Sequence, residues 1–248
     1  MRIGILIVAS FFALTAPRIN AEMPRASDLL SCSIRYHDPE GRWQKGAFRI
    51  VDVSSQPDGT VGRRTIIQID NAHGQVDMET HLGEHVIAVR IRGQAIDRLF
   101  LDGRSEFTPD EIKRFQLSSK QVLSKRNFFL YLLGLPMKLR DPGTRIDPII
   151  QSTVFEGRQV HQLRVSYDSA VGSETWYFYL DPKTCALLGH RYYHNEAPQD
   201  GEYAVLTDEI RGVGLRLPRV RKWYGNQDWK WFITHTIESI DAIGPLSP

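Results

Sequence analysis

The sequence predicts a mainly β protein in which a curved antiparallel sheet encloses one strongly apolar helix. Residues 46–103 alternate apolar and polar side chains with the two-residue period of strands. A markedly apolar segment of helical character, Ser118 to Leu133, follows this region. A sheet with one apolar face and a separate helical cover can enclose either its own core or an apolar ligand.

The clearest pattern is a hairpin between residues 75 and 92. Alternate residues from 76 to 82 form an apolar face, and alternate residues from 85 to 91 return on the same face after the two-residue turn Gly83-Glu84. The opposite face carries acidic, basic and histidine side chains. This pattern is typical of a sheet that is apolar on one face and solvated on the other.

Periodicity and turn residues predict about a dozen strands in total. They are expected at residues 45–54, 62–70, 75–82, 85–92, 95–101, 149–156, 159–168, 173–180, 186–194, 202–210, 213–222 and 229–241. Helices are expected at residues 24–36, after the capping pair Thr108-Pro109, and from Ser118 to Leu133. The connection that follows contains two Asp-Pro steps and is expected to be turn-rich, without a strand.

The N-terminus has the pattern of a secretory signal peptide. A positive start is followed by an apolar run from Ile3 to Ala16, and cleavage is predicted after Ala21. Because the run is shorter than the roughly 20 apolar residues that span a bilayer, we expect no transmembrane anchor in the mature chain. The sequence thus predicts a signal peptide at 1–21, a single β-rich carrier-like domain at 22–248 and a periplasmic location, with secretion as the alternative.

Charge and composition argue against nucleic-acid binding. Removal of residues 1–21 leaves 29 basic against 29 acidic residues, so the mature net charge is about zero. Proteins that bind nucleic acid usually carry a basic surface. The hydrophobic content of 42% is sufficient for a substantial core. The mature length suits one large β domain or two small ones, and no Ser/Gly/Pro-rich linker divides the sequence.

Cys32 and Cys185 are the only cysteines in the sequence. An even pair in an exported protein is compatible with a disulfide, which would join the N-terminal helix to a hairpin 153 positions later. Two buried free thiols are the alternative, because the sequence gives no distance between the two side chains.

The histidines do not have the spacing of a metal site. His81 and His85 fit the H-x-x-E-H spelling of a zinc-protease motif, but that chemistry requires a helix, and in the predicted hairpin they point to opposite faces. His190 and His194 share a face of one strand but lie roughly 13 Å apart, too far for one ion. Phosphate loops, dinucleotide fingerprints and nucleophile elbows are also lacking. We therefore expect no metal, no cofactor and no assignable catalytic residue.

Two polar segments have open interpretations. His37 and Asp38 are the best catalytic candidates, but a β-turn capped by Asp38 is the favoured interpretation. The second segment is the basic stretch Arg211, Arg216, Arg219, Arg221 and Lys222. It could receive anionic lipid headgroups, although we favour a role in keeping an edge strand soluble.

Several motifs together carry a resemblance to a known group of proteins. They are Tyr36-His37-Asp38-Pro39 with Trp43, Gly134-Leu135-Pro136-Met137-Lys138-Leu139, the strand that ends in Asp181-Pro182-Lys183-Thr184, and Gly201-Glu202-Tyr203. Over most of the mature chain they resemble an uncharacterised family of exported bacterial proteins, which is similar to the Lol-type (LolA/LppX-like) lipoprotein carriers. The resemblance implies an incomplete antiparallel β-barrel of about eleven or twelve strands, with a few helices covering the open side over an apolar cavity for acyl chains. It implies no catalytic residue.

The favoured hypothesis is a soluble periplasmic protein that binds a lipid, a lipoprotein acyl chain or another apolar ligand in a half-barrel cavity. Envelope proteins are a further class of expected partner. The expected lining residues are Trp43, Met78, Ile87, Val89, Phe128, Phe129, Leu132, Leu133, Met137 and Trp176. One alternative is an envelope hydrolase that uses His37 and Asp38. The other is a non-catalytic interaction module with a filled core, which would dock through its basic strands or through the aromatic residues Trp223, Tyr224, Trp229 and Trp231.

Overall fold

The computed structural model describes residues 23–246, and the predicted signal peptide lies outside them. The helices in this range are α1 (Ala26–His37), α2 (Pro109–Phe115) and α3 (Ser119–Leu133), with a short 3-10 turn at Met137–Arg140. The strands are β1 (Ala47–Ser55), β2 (Val61–Asp70), β3 (Gln75–Leu82), β4 (His85–Arg92), β5 (Ala95–Leu101), β6 (Thr144–Ile146), β7 (Gln151–Phe155), β8 (Arg158–Tyr167), β9 (Thr175–Leu180), β10 (Leu187–Tyr193), β11 (Glu202–Gly212), β12 (Leu215–Gly225) and β13 (Trp231–Ala242).

All these strands belong to one antiparallel sheet. Their order is β5-β4-β3-β2-β1-β13-β12-β11-β10-β9-β8-β6, and β7 also pairs with β8. Within residues 23–246 no ladder joins β5 to β6 or β7, so the sheet remains open as an incomplete barrel. The predicted fold class is confirmed.

One strand was missed by the sequence prediction. β6 lies in the connection that we expected to be turn-rich, and its three residues pair with the end of β8. The segment is confined between Pro142 and Pro148 and is too short for an alternating pattern to be recognised. Its strand conformation is therefore decided by pairing with β8.

The β3–β4 hairpin has the predicted register. His81 pairs with Val86 and Leu82 pairs with His85 across the two-residue turn. His81 and His85 therefore project to opposite faces, and each is hydrogen-bonded to a different carboxylate. The hairpin geometry predicted from the alternation is confirmed.

Local signals in the sequence define where α2 and α3 begin. Thr108 Oγ1 accepts from the backbone N–H of Glu111, and the Glu111 carboxylate accepts from the backbone N–H of Thr108, which completes a capping box. Ser118 caps α3 by accepting from the backbone N–H of Gln121 at 3.4 Å. These caps satisfy amide groups that would otherwise lack partners at the helix ends.

The helices cover one face of the sheet, which we call the helix-side face. Residues paired directly across neighbouring strands share a face, and two apolar clusters lie on this one. The first contains Ile50, Ile67, Met78, Val89 and Ile237 of the sheet with Val122, Phe129 and Leu133 of α3. The second contains Leu163, Phe178, Leu180, Leu206 and Trp223 of the sheet with Leu29 and Leu30 of α1 and Leu132 of α3. Helix α3 thus joins both clusters.

Candidate ligand-binding site under helix α3

Helix α3 packs on the helix-side face along its apolar residues. Phe129 and Leu133 are buried in the first cluster, and Leu132 is buried in the second. At the end of the helix, Gly134 approaches Trp43 so closely that a Cβ atom added there would lie 2.5 Å from Trp43 Cζ2. Helix α3 therefore occupies the space that an apolar ligand would need.

The ten predicted lining residues fall into three groups. The first cluster contains Trp43, Met78, Ile87, Val89, Phe129, Leu133 and Met137. The second cluster contains Leu132, and Trp176 packs against it while partly buried. Phe128 is 39% exposed, and its ring packs against Trp223 and His235. Nine of the ten thus lie in or against the core and Phe128 lies at its margin; their contact with a ligand stays a prediction.

A narrow gap separates the start of α3 from the sheet. It measures about 20 Å³, which is close to the space of a single water molecule. Met78, Ile87 and Val89 line it from the sheet, while Val122 and Lys125 line it from α3. An acyl chain is far larger than this gap, so binding of such a chain between α3 and the sheet would require α3 to move outward.

Helix α1 is firmly attached to the sheet. Cys32 forms a disulfide with Cys185 in the connection between β9 and β10, so the disulfide interpretation is confirmed and the free-thiol alternative is wrong. His37, at the end of α1, makes hydrogen bonds to Arg216 O at 2.5 Å and to the Leu187 N–H at 2.9 Å. Helix α1 is therefore a fixed wall of the site.

Helix α3 is held by packing and by side-chain hydrogen bonds. Arg126 Nη2 donates to Gln94 Oε1 at 3.1 Å, and the hydroxyl groups of Tyr131 and Tyr167 are hydrogen-bonded to each other. The net contribution of such bonds is about 0.5–1.5 kcal/mol each, because water can replace them. Helix α3 is thus the more easily displaced of the two covers.

His37 and Asp38 serve the backbone. Because Nε2 of His37 accepts from Leu187, Nδ1 carries the proton and donates to the Arg216 carbonyl. Burial lowers the pKa of His37 and keeps the ring neutral. The Asp38 carboxylate accepts from the backbone N–H groups of Arg42 and Trp43 at 2.6 and 3.0 Å. The predicted Asp-capped turn is confirmed, and the geometry gives the hydrolase alternative no support.

A row of buried polar side chains crosses the otherwise apolar helix-side face, and we call it the polar band. It consists of Thr65, Asp52, Ser54, His235, Arg221 and His190. Asp52 pairs with Thr65 across β1 and β2, and His235 pairs with Arg221 across β13 and β12. His235 Nδ1 and Asp52 Oδ1 are hydrogen-bonded at 2.7 Å.

The sequence analysis did not single out the polar band, although the alternation contains a signal for it. Asp52 lies two positions after Ile50, and His235 lies two positions before Ile237. Each therefore occupies an inward position of its strand. A polar residue at an inward position of an apolar strand is the pattern that would have revealed the band.

Arg221, His190 and Trp223 are the least satisfied side chains of this region. Arg221 is 3% exposed and His190 is 1% exposed. Within the described part of the chain, neither Nη atom of Arg221, neither ring nitrogen of His190 nor Nε1 of Trp223 has a hydrogen-bond partner. A buried donor left unpaired costs about 1–3 kcal/mol, so these groups lower the stability of the fold.

Burial also sets the charges of these side chains. Loss of hydration lowers the pKa of Arg221 to about 10, so its guanidinium is charged at neutral pH. Loss of hydration and the nearby positive charge of Arg221 lower the pKa of His190 to about 3, so its ring is neutral. The helix-side face therefore contains one buried cation that no carboxylate contacts directly within residues 23–246.

Two sequence interpretations of this region need correction. The basic stretch does not lie on an edge strand, because β12 pairs with both β11 and β13 in the interior of the sheet. Arg221 faces the helices, whereas Lys222 lies on the other face with its Nζ 5.0 Å from the Trp231 ring. The expected aromatic docking patch is also divided, since Trp223 is buried beneath α3 and Trp229 is 57% exposed.

Neither a metal centre nor a spanning helix is found in the described part of the chain. In residues 23–246, no group of three or more His, Cys, Asp or Glu side chains could hold a metal ion. Over the same residues, no helix combines the length and the apolar character needed to cross a membrane.

The open sheet wrapped around its helices defines a recognisable structural class. A LolA superfamily protein from Nitrosomonas europaea superposes with a TM-score of 0.56 at 8% identity, covering 91% of this chain and 96% of that one. A domain from Vibrio parahaemolyticus, described as an outer membrane lipoprotein-sorting protein, superposes with a TM-score of 0.51 at 11% identity, covering 88% and 93%. At such identities the likeness concerns the fold.

The chain belongs to a family of unknown function, DUF6503, whose family model matches residues 7–239. No curated protein matches the chain. The resemblance to an uncharacterised family with a Lol-type fold is thereby confirmed.

Proposed function

We propose that this protein is a periplasmic binder of a lipid, a lipoprotein acyl chain or another apolar ligand, which it holds between α3 and the sheet. The observation that carries the proposal is the contrast between the two covers: α1 is held by a disulfide, whereas α3 is held by packing and side-chain hydrogen bonds. The fold likeness to a LolA superfamily protein and to a lipoprotein-sorting domain supports the same class. The predicted signal peptide at 1–21 supports the location.

Burial of apolar surface drives binding in this mechanism. Helix α3 moves outward, and the ligand then contacts α3 on one side and the sheet on the other. Each methylene transferred from water contributes about 0.8 kcal/mol, so a chain of about 14 methylenes contributes roughly 11 kcal/mol. This gain can offset the separation of α3 from the sheet together with the cost of ordering the ligand.

Replacement of both Phe129 and Leu132 by Ser should weaken binding while the sheet remains folded. Both side chains lie on the buried side of α3, where they would contact the ligand. We expect at least a tenfold loss of affinity for the uncharged fluorescent probe N-phenyl-1-naphthylamine, since each lost apolar contact is worth about 1.5–3 kcal/mol. Far-UV circular dichroism checks the fold.

The matched control replaces Val61 and Val154 by Ser, because these side chains are 63% and 58% exposed. It should bind the probe as the wild type does. Loss of the native circular dichroism spectrum in the α3 double variant would show instead that Phe129 and Leu132 are ordinary core. The single variant Phe128→Ser, at a residue that is 39% exposed, then tests ligand contact without removing a core residue.

Native mass spectrometry of protein purified from the periplasm of its own cells tests both the proposed lipid-binding function and the proposed location. A co-purified acylated molecule, released by denaturation, would establish a carrier and identify its ligand. Protein that carries no such molecule and does not bind the fluorescent probe would contradict the proposal.

A further inference from the structure

The unpaired donors on the helix-side face are close to one another. Trp223 lies two positions after Arg221 on β12, so both side chains point to the same face. Ala204 of β11 pairs with His190 of β10 on one side and with Trp223 of β12 on the other. His190 therefore lies on the same face as Trp223 and Arg221. The ring centroids of His190 and Trp223 are 5.1 Å apart. Three side chains with unpaired N–H groups thus lie on one face of the sheet, beneath α3.

Phe128 of α3 covers this region. Its ring centroid lies 6.2 Å from that of Trp223 and 5.8 Å from that of His235. These two residues flank Arg221, since Trp223 follows it on β12 and His235 pairs with it from β13. Outward movement of α3 would therefore expose the guanidinium of Arg221 at the same time as the apolar surface beside it.

The chemistry of these groups favours an anion. The two Nη atoms of an arginine form a planar fork that matches a carboxylate or a phosphate. A neutral histidine and a tryptophan each add one N–H donor. Asp52 is the single acid of the polar band, and its Oδ1 is hydrogen-bonded to His235, so the positive charge of Arg221 is not neutralised by direct contact.

We propose that Arg221, with His190 and Trp223, binds the anionic headgroup of an amphiphilic ligand, a carboxylate or a phosphate ester, while its chain lies between α3 and the apolar sheet. This inference deepens the proposed function and rests on it. Such a site would select fatty acids and acidic lipids over uncharged apolar molecules. An uncharged apolar ligand would leave these three buried donors without a hydrogen-bond partner.

A displacement experiment with delipidated mature protein tests this selection. N-phenyl-1-naphthylamine first reports apolar binding without involving a charge. Dodecanoate, dodecyl phosphate, dodecanol and inorganic phosphate then compete with the probe. We expect the two anionic amphiphiles to act at concentrations about tenfold or more below that of dodecanol, because hydrogen bonds to charged groups are the stronger ones. Inorganic phosphate should not displace the probe or dodecyl phosphate.

Arg221→Met should abolish the preference for anions, so that dodecanoate and dodecyl phosphate displace the probe at about the same concentration as dodecanol. Lys222→Met is the matched control, since it removes the same charge from the neighbouring residue on the other face; it should keep the preference. Because Arg221 has no direct partner, Arg221→Met should also have a melting temperature at least as high as the wild type. If it fails to fold, His190→Phe keeps an aromatic ring among Trp176, Phe178 and Trp223 and should reduce the preference several-fold.

The outcomes separate the two proposals. Probe binding without any preference for anions, or a preference that survives both Arg221→Met and His190→Phe, would overturn the headgroup site and leave the carrier function standing. If inorganic phosphate competes at the same concentration as dodecyl phosphate, the site binds free anions, and the assignment to an amphiphile is overturned. A protein that binds neither probe nor amphiphile would overturn the carrier function and the headgroup site together.

Discussion

Single buried polar residues distinguish this sheet from an ordinary apolar core. Arg221 and His190 are almost fully buried and lack direct hydrogen-bond partners in the described residues. Replacement of an unpaired buried charge by an apolar side chain is commonly neutral or stabilising. Residues that lower stability in this way are retained more readily where they serve a function.

The folding stability of the protein should decrease below pH 6.5 because of His190. Its pKa is about 3 in the folded protein and about 6.5 in an unfolded chain. Below pH 6.5 the unfolded state binds a proton that the folded state does not, so the free energy of unfolding falls by about 1.4 kcal/mol per pH unit. The lowered pKa of His37 acts in the same direction.

Urea unfolding at pH 7 and pH 4.5 measures this effect. In His190→Phe, the part of the pH dependence that His190 causes should be absent. The free energy of unfolding of this variant should therefore fall less between pH 7 and pH 4.5 than that of the wild type. His161→Gln, at a half-buried position on the same sheet, is the control and should retain the wild-type dependence. Equal acid sensitivity in the wild type and in His190→Phe would show that His190 titrates normally in the folded protein.

At the scale of elements, the two main covering helices have different attachments. Helix α1 is joined to the β9–β10 connection by Cys32–Cys185 and by the two hydrogen bonds of His37. Helix α3 is held by its apolar residues, by a close approach at Gly134 and by the side-chain hydrogen bonds of Arg126 and Tyr131. In the proposed function, α1 is the fixed wall of the site and α3 is the cover that moves.

Gly134→Ala should destabilise the protein by about 1–3 kcal/mol, the usual cost of overpacking a core. The added Cβ would lie 2.5 Å from Trp43 Cζ2 and 2.7 Å from the Leu130 carbonyl oxygen. The urea concentration at the midpoint of unfolding measures the effect, provided that the slope of the free energy of unfolding against urea concentration is unchanged. Gly244→Ala is the control, since a Cβ there meets nothing within 4 Å. A Gly134→Ala variant as stable as the control would show that the end of α3 is not tightly seated against Trp43.

At the scale of the whole molecule, one covalent link joins the N-terminal helix to the second half of the sheet. Cys32 and Cys185 are 153 positions apart, so the link restricts the unfolded chain over most of its described length. Restriction of the unfolded chain is one source of the stability that a disulfide provides.

Replacement of both cysteines by Ser should lower the free energy of unfolding by about 2–5 kcal/mol. Urea unfolding with and without reducing agent measures the change. Reduced wild type should unfold at the same urea concentration as the double variant, which should itself be unaffected by reductant. A loss below about 1 kcal/mol would mean that packing alone holds α1 in place.

Much of the architecture could be predicted from local sequence. The β3–β4 register follows from strict alternation around Gly83-Glu84, and the start of α2 follows from the capping box at Thr108. Both depend on residues close together in the chain, where periodicity and turn chemistry are informative. The apolar character of α3 likewise predicted burial, although it could not show whether a cavity or a filled core lies beneath the helix.

The sequence by itself determined the fold class, the strand alternation and the strongly apolar helix, because these properties depend on neighbouring residues. Only the tertiary structure decided that Cys32 meets Cys185, that β12 is an interior strand and that Arg221 and His190 face the same covered region. These relations depend on which distant strands become neighbours. That choice minimises the free energy of the whole sheet and its helices, and no local pattern encodes it.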